Sequence, residues 1–306
     1  APRHTRLRGL VLRAFTSRRI ASLAPDIAQL AHDLIDTFPQ DRVDLIPAYA
    51  NQIPVIIIAR LLGVPESMAP DLLKWSNDMV MMYQAKRTRQ HEDQAAQSSK
   101  EFADFMRGYI EQKRHKPADD LITHLIAAEE QGDKLSTDEL ITTCILLLNA
   151  GHEATVHTMD NGIKALIEHG SNPEWFKEDV IDRCVEEILR YDPPLHMFTR
   201  YCYEGCDLFG HRFERGDQVA LMLGSTGRDP EVWQEADQFD PTRAIKKNTA
   251  FGGGIHFCVG APLARLELRV ALPILFERHP NMSFETPPVY GDVYHFHGLE
   301  ALNVTL

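Results

Sequence analysis

The sequence FGGGIHFCVGAPLARLELRVAL, residues 251–272, carries the pattern that decides the fold. Three glycines (252–254) and His256 precede a single cysteine, Cys258, and a segment with helical periodicity follows. Because glycine lacks a Cβ atom, such a run allows positive φ angles and a close approach of the backbone to a bulky group. We therefore expect Cys258 to lie at the start of a helix, beside a loop that leaves room for a ligand.

The position of Cys258 predicts a reactive or ligating sulfur. Pro262 is typical of the first turn of a helix, where unpaired N–H groups and the positive end of the dipole stabilise a nearby thiolate. A nucleophilic cysteine, a zinc ligand and a thiolate ligand of haem iron all fit this position. Zinc is disfavoured because His256 is the only further ligand nearby. An inert buried cysteine is the alternative without chemistry.

Composition limits the class of protein. The chain has 306 residues, 44% of them apolar, which is enough for a large core. Its net charge of −12 argues against a nucleic-acid partner. Five cysteines, an odd number in a long chain, favour a reducing, cytoplasmic location. Apolar runs fall short of the roughly 20 residues that a membrane span requires, so we expect no membrane partner.

Helical periodicity dominates the first two thirds of the chain. The pattern predicts helices over residues 5–15, 17–38, 49–62, 69–83, 94–113, 119–131, 136–169, 174–191 and 262–279. The sequence STDE from Ser136 to Glu139 predicts a capping box at the start of the longest helix. Short strands are expected at 198–203, 207–213 and 218–223, followed by a strand-like tail. The prediction is a mainly α fold with a minor β portion.

The loop FGGGIHFCVG resembles the haem-binding loop of the cytochrome P450 family, FxxGxHxCxG, at every fixed position. The resemblance implies the fold of that family, with a long central helix over a haem b and small β-sheets. It implies that Cys258 is the proximal iron ligand, that Phe251 shields the sulfur and that His256 contacts a propionate. A thiolate ligand supplies electron density to the iron and favours O–O cleavage.

Four further segments are similar to motifs of the same family. EEILRYDPP (186–194) and FDPTR (239–243) resemble the segments that supply a structural cluster of one glutamate and two arginines. By that likeness the cluster here consists of Glu187, Arg190 and Arg243. HTRLR (4–8) and PLHMFTRY (194–201) supply cations at positions that contact the haem propionates in related proteins, namely His4, Arg8 and Arg200. Without the family context, His4 and Arg8 are better interpreted as a basic helix surface.

LLLNAGHEATVHTMDNG (146–162) resembles the oxygen-binding motif AGxET. Ala150, Gly151 and Glu153 match it, and the resemblance implies a bulge at the glycine and proton delivery by the acid. The motif's threonine is replaced by Ala154, and Thr155 lies about 100° further around the helix. We expect Gly151, Glu153 and Thr155 to be the catalytic residues. Protons would then pass through a substrate hydroxyl, a water held by Glu153 or the displaced Thr155.

The resemblance implies a monooxygenase that inserts one atom of O2 into a small, mainly hydrophobic substrate, with electrons from a ferredoxin and its reductase. A haem-thiolate peroxygenase, a ligand-binding haem protein and a cysteine-nucleophile enzyme without haem stay open. Arg265 and Arg269 fit either a basic docking surface or ordinary solvated charges. We expect one domain, 1–306, that lacks the family's N-terminal portion. Expected substrate-facing residues are Leu147, Ala150, Gly151, Leu195, Met197, Phe198 and Phe296.

Overall fold

The computed structural model of the chain describes residues 2–84, 86–130, 135–292 and 296–306. Helices make up most of these residues, and three small antiparallel sheets make up the rest of the regular structure. The predicted mainly α class is therefore confirmed. The α-helices are α1 (Pro2–Ala14), α2 (Ser17–Ala21), α3 (Ala24–Ile35), α4 (Gln52–Leu62), α5 (Ala69–Val80), α6 (Arg89–His115), α7 (Leu121–Glu130), α8 (Thr137–Glu168), α9 (Ile181–Tyr191), α10 (Leu223–Thr226) and α11 (Ala261–Arg278).

The strands are short and pair in three groups. They are β1 (Arg42–Asp44), β2 (Met197–Tyr201), β3 (Cys206–Leu208), β4 (His211–Phe213), β5 (Gln218–Met222), β6 (Ser283–Phe284) and β7 (Asn303–Thr305). One sheet has the order β1-β7-β6, and β2 pairs with β5 and β3 with β4. In the first sheet Val43 lies opposite Val304, so residues near the two ends of the chain close the same sheet.

The long helix α8 runs through the core. It has 32 residues, and Ser136 and Glu139 form the predicted capping box at its start. Because that arrangement satisfies the first N–H groups of the helix, its N-terminus is fixed. Helix α8 packs against α4, α6, α9 and α11. The helix therefore contacts both the helix that follows the cysteine loop and the helix that carries Glu187 and Arg190.

Two segments that were predicted as single helices each form two elements. Residues 17–38 form α2 and α3, which are separated at Ser22 and Leu23. Pro25 explains the break, because its ring clashes with the preceding turn and it has no N–H to donate. Residues 174–191 contain a 3-10 turn (Pro173–Phe176) and then α9, with Lys177 in an extended conformation between them.

Other element boundaries also differ from the predicted ones. The predicted strand 207–213 is a hairpin of β3 and β4, because Phe209 and Gly210 both have positive φ, 52° and 78°, as a tight hairpin turn requires. The segment that precedes α4 is a π-helical turn, Ile46–Ala50. The helix predicted to end at 131 is described as α7, and Gln131 lies outside the described residues. Among the described helices, none is both long and apolar enough to cross a membrane.

Candidate active site

The loop before α11 has the glycine-dependent backbone that the sequence predicts. Gly252 and Gly254 have φ angles of 69° and 67°, whereas Gly253 is extended. A Cβ atom at any of the three would meet no atom within 4 Å, so the loop borders open space. The Cys258 N–H donates to the Phe251 carbonyl at 3.0 Å and closes the loop. The sulfur-bearing residue is thereby fixed at the start of α11.

The Cys258 sulfur lies among donors and cations. The backbone N–H groups of Gly260 and Ala261 donate to it, and the charges of Arg8 and Arg265 favour its thiolate. Burial nevertheless has the largest effect, and it raises the pKa of the Cys258 thiol above its ordinary value. The N–H donors at the helix start lower that pKa, as expected, but burial outweighs them. A metal ion at the sulfur reverses this balance, because a coordinated thiol loses its proton.

Three of the four expected propionate ligands meet beside this loop. The rings of His4 and His256 are 4.4 Å apart between centroids, and the Arg8 guanidinium donates to the Phe257 carbonyl. The pKa of His4 is lowered, first by desolvation and then by the charges of His256 and Arg8. Mutual repulsion of this kind would be relieved by an anionic ligand. The group is therefore suited to a pair of carboxylates.

Arg200 lies in a different setting. Its guanidinium donates to the Thr199 carbonyl at 3.1 Å and lies 5.9 Å from the centroid of the Phe198 ring. The described contacts of Arg200 thus keep it on strand β2, whereas His4, Arg8 and His256 gather at the cysteine loop. Its role as a fourth propionate ligand stays a prediction.

Phe251 and the two arginines of α11 make contacts that connect the cysteine loop, α11 and α9. The Arg265 guanidinium lies 4.5 Å from the centroid of the Phe251 ring and pairs with Glu186 of α9. Arg269 pairs with Asp182 of the same helix at 3.5 Å. Both positive charges therefore join α11 to α9, and both side chains stay partly exposed, so the basic docking surface stays a prediction.

The predicted cluster of Glu187, Arg190 and Arg243 is confirmed and is buried. Arg190 makes a bidentate pair with Glu187, both bonds at 2.7 Å, and each side chain is 1% exposed. Arg243 donates to the same carboxylate at 3.2 Å. Arg190 also donates to the carbonyls of Gly227, Ala236 and Gln238, so it ties α9 to the segment that leads to the cysteine loop.

The middle of α8 is a continuous helix across Gly151, without the bulge that the resemblance implies. A Cβ atom at Gly151 would lie 3.2 Å from Ile58, so the glycine allows α4 to pack closely. The Thr155 hydroxyl donates to the Gly151 carbonyl at 3.3 Å. Thr155 is buried and bonded within its own helix, which argues against a direct replacement of the missing threonine.

Two histidines to which the motif gives no role lie beside Glu153. His152 Nε2 and His157 Nε2 each lie 3.5 Å from a Glu153 carboxylate oxygen. Burial alone would raise the pKa of Glu153, but hydrogen bonding and charge from the two imidazoles outweigh it and lower that pKa to about 2. Glu153 is therefore a carboxylate with two adjacent proton carriers. The spacing of four residues to His157 was the available signal.

One expected substrate-facing residue is misplaced. Leu147 is 7% exposed and belongs to the core, whereas Leu146 is 63% exposed. Leu146 is one turn before Ala150, which is also exposed, so these two residues share the open face of α8. Counting back four positions from Ala150 would have identified it. Leu195, Met197, Phe198 and Phe296 are partly exposed, and Gly151 packs on Ile58.

These residues fit a haem. The loop offers a sulfur with two N–H donors, an open glycine border and a cationic group for two carboxylates. Large apolar side chains are exposed on the loop itself, with Ile255 at 69% and Phe257 also exposed. Apolar surface next to a ligating sulfur and cations suits a flat, apolar macrocycle with acidic substituents.

Comparison with known proteins agrees with this geometry. The model of the cytochrome P450 family matches residues 1–178 and 179–288. The polyketide biosynthesis cytochrome P450 PksS of Bacillus subtilis (strain 168) is 37% identical over 312 residues, covering 100% of this chain and 76% of PksS. The cytochrome P450 monooxygenase PikC of Streptomyces venezuelae is 37% identical over 294 residues, covering 94% of this chain and 69% of PikC.

A solved structure shows the same fold. P450BioI, in complex with an acyl carrier protein ligated to hexadec-9Z-enoic acid, has a TM-score of 0.93 and 33% identity, covering 100% of this chain and 79% of P450BioI. The mainly α fold and the cysteine loop before α11 agree with the class of haem-thiolate proteins, in which a cysteine sulfur binds the iron. The chain belongs to the cytochrome P450 family and is a monooxygenase, an oxidoreductase that acts with O2.

Proposed function

We propose that this protein binds haem b with Cys258 as the axial ligand of the iron. The arrangement of Gly260 and Ala261 N–H groups around the Cys258 sulfur carries the proposal. His4, Arg8 and His256 would hold the propionates, with Arg200 as a further candidate, and Phe251 would cover the sulfur side. When bound, thiolate-ligated haem iron supplies the activation of O2.

The protein's own residues then govern protons and substrate. The overall reaction takes one substrate C–H bond, O2, two electrons and two protons, and yields an alcohol and water. We assign the protons to Glu153, whose carboxylate lies within reach of His152 and His157. Gly151 and Ala150 keep the adjacent surface of α8 small, and Thr155 holds the Gly151 carbonyl. These residues form the proposed distal side.

The substrate is proposed to be small and mainly hydrophobic. Leu146, Leu195, Met197, Phe198 and Phe296 offer apolar surface. The polyketide pathway named for PksS and the acyl chain in the P450BioI complex support a lipid-like molecule. Electrons are proposed to come from a ferredoxin and its reductase. Arg265 and Arg269 are candidates for the docking surface of the ferredoxin, because both side chains stay partly exposed beside their pairs with α9.

Ala154 favours a second candidate, a haem-thiolate peroxygenase. With no hydroxyl at that position, protonation during O2 reduction would be slow, and peroxide would supply oxygen that is already reduced. A spectral ligand screen first identifies a hydrophobic compound that binds. Product formed from this compound with O2, NAD(P)H, ferredoxin and reductase is then compared with product formed with peroxide alone. Product that requires O2 and the reductase supports the monooxygenase. Product from peroxide only would replace it with the peroxygenase.

A further inference from the structure

Two histidines and an aspartate meet beside the end of α9, outside the cysteine loop. Asp192 follows α9, His196 precedes β2, and His297 lies in the C-terminal segment. Their possible ligand atoms all lie within 4.8 Å of one another, and among the described residues this is the one such group of three. His297 Nε2 is 3.2 Å from Asp192 Oδ1. None of the three has a place in the proposed oxygenation.

Neighbouring side chains hold this group in position. The Tyr290 hydroxyl donates to the second oxygen of Asp192, and its ring stacks on His297 with centroids 4.0 Å apart. The amide of Asn161, on α8, donates to the Asp192 carbonyl at 3.2 Å and to the His297 carbonyl at 3.0 Å. Such hydrogen bonds behind the ligands are a regular feature of protein metal sites, because they orient the donors in advance.

The donor set selects the type of metal. Two imidazoles and one carboxylate suit zinc and the neighbouring late first-row divalent ions, whereas calcium and magnesium prefer oxygen donors. Tetrahedral zinc with bonds of about 2.0 Å needs donor atoms about 3.3 Å apart, which the pair of His297 and Asp192 already meets. His196 stacks on His297 with centroids 3.9 Å apart, so its ring must turn for its nitrogen to join them.

We propose that Asp192, His196 and His297 bind a late first-row divalent cation, with zinc as the best fit and a fourth position open to water. Bound there, the ion joins the end of α9 to the C-terminal segment next to Phe296. The proposal stands apart from the haem chemistry, because it rests on different residues.

Zinc titration of the holoprotein tests the proposal. Protein treated with a chelator is titrated with zinc chloride by calorimetry at near-neutral pH, alongside His196→Asn, His297→Asn and Asp192→Asn. His32→Asn, on the exposed face of α3, is the matched control. We expect one zinc site in the wild type, weakened about tenfold or more in each site variant and unchanged in the control.

Two outcomes would overturn the site. One is wild-type protein that binds no zinc, and the other is equal zinc binding by the wild type and the three variants, which would locate the ion elsewhere, for example at Cys202. Haem content reports the fold of each variant independently. If a variant loses haem, X-ray absorption of zinc-loaded wild type decides instead, since the proposal requires two imidazole ligands and a spectrum without them contradicts it.

Discussion

Single residues set the chemistry of the distal side. Glu153 is ionised beside His152 and His157, while the neighbouring position, Ala154, has no hydroxyl. Ala154 lies inside the continuous helix α8 and is partly exposed. A substitution there adds a side chain at a helical position that is not fully enclosed by the core.

The substitution Ala154→Thr tests whether the missing hydroxyl limits proton delivery. A hydroxyl next to Glu153 would give protons a shorter route, so we expect the ratio of product to hydrogen peroxide to rise by at least about twofold. The measurement is product and peroxide formed per NAD(P)H oxidised. A ratio equal to that of the wild type would reject the role assigned to position 154.

Glu153 also makes stability depend on pH. Its pKa is lowered to about 2 in the folded protein, so its stabilising contribution is complete above the unfolded pKa near 4.5 and is lost as the pH falls toward 2. We expect Glu153→Gln to destabilise the protein by up to about 3 kcal/mol at neutral pH, and by less as the solution becomes acidic. Urea unfolding at a series of pH values measures this difference, and a deficit that stays constant with pH would contradict it.

Secondary-structure elements are joined by buried charges. The Glu187 carboxylate accepts bonds from Arg190, Arg243 and the Asp240 N–H, and Arg190 reaches three carbonyls beyond α9. Because both partners are buried, breaking this pair leaves an uncompensated charge in the interior. The cluster thus fixes the orientation of α9 relative to the segment before the cysteine loop.

The substitution Glu187→Gln tests this joint. We expect a loss of about 3–5 kcal/mol in the free energy of unfolding, with reduced haem content. Glu174→Gln is the matched control, because Glu174 and Lys177 form an exposed pair with the same spacing of three residues. The control should change stability by under about 1 kcal/mol. Equal losses in the free energy of unfolding for the two substitutions would contradict the stabilising role of the buried cluster.

Helix positions followed from periodicity, but the ends depended on particular residues. Pro25 divided a predicted helix, and Phe209 with Gly210 turned a predicted strand into a hairpin. Strand β7 lies in the tail that was predicted to be strand-like, whereas β1 escaped prediction because it has three residues and pairs with β7 across almost the whole chain. Such pairing is determined by the packed core and leaves little local pattern.

The site could be predicted in part. The motif located Cys258, and the structure assembles His4, Arg8 and His256 around its loop. The prediction that Leu147 faces the substrate was wrong because the direction of a helix face depends on the elements that pack against it. An error of one residue placed the prediction in the core. The two histidines at Glu153 were visible in the sequence, but their closeness to the carboxylate needed coordinates.

The molecule as a whole retains two buried carboxyl groups that the proposed chemistry does not use. Asp160 of α8 and Glu267 of α11 are fully buried, and their oxygens have no hydrogen-bond partner among the described residues. Burial raises the pKa of each carboxyl well above its ordinary value, and Asp44 adds to this at Asp160. Each carboxyl therefore holds its proton to a higher pH in the folded core than in the unfolded chain.

The dependence of thermal stability on pH tests this feature. A carboxyl with a raised pKa contributes its full stabilisation only below the pKa that it has in the unfolded chain. Above that pH the free energy of unfolding falls by about 1.4 kcal/mol per pH unit for each group, until the pH reaches the pKa of the folded state. We expect Asp160→Asn and Glu267→Gln to flatten the decline of Tm as the pH rises from mildly acidic to neutral and above. If plots of Tm against pH for the variants run parallel to that of the wild type over this range, the raised pKa values of the two carboxyls are contradicted.

The central claim is that Cys258 binds haem iron through its sulfur. The most direct measurement is the absorption spectrum of the reduced, carbon monoxide-treated holoprotein, compared between wild type, Cys258→Ser and the control Cys202→Ser. We predict the red-shifted Soret band of a thiolate-ligated haem in the wild type and in the control, and its loss in Cys258→Ser, because a hydroxyl does not replace a thiolate ligand. The same band in Cys258→Ser, or a wild type that holds no haem, would contradict the account.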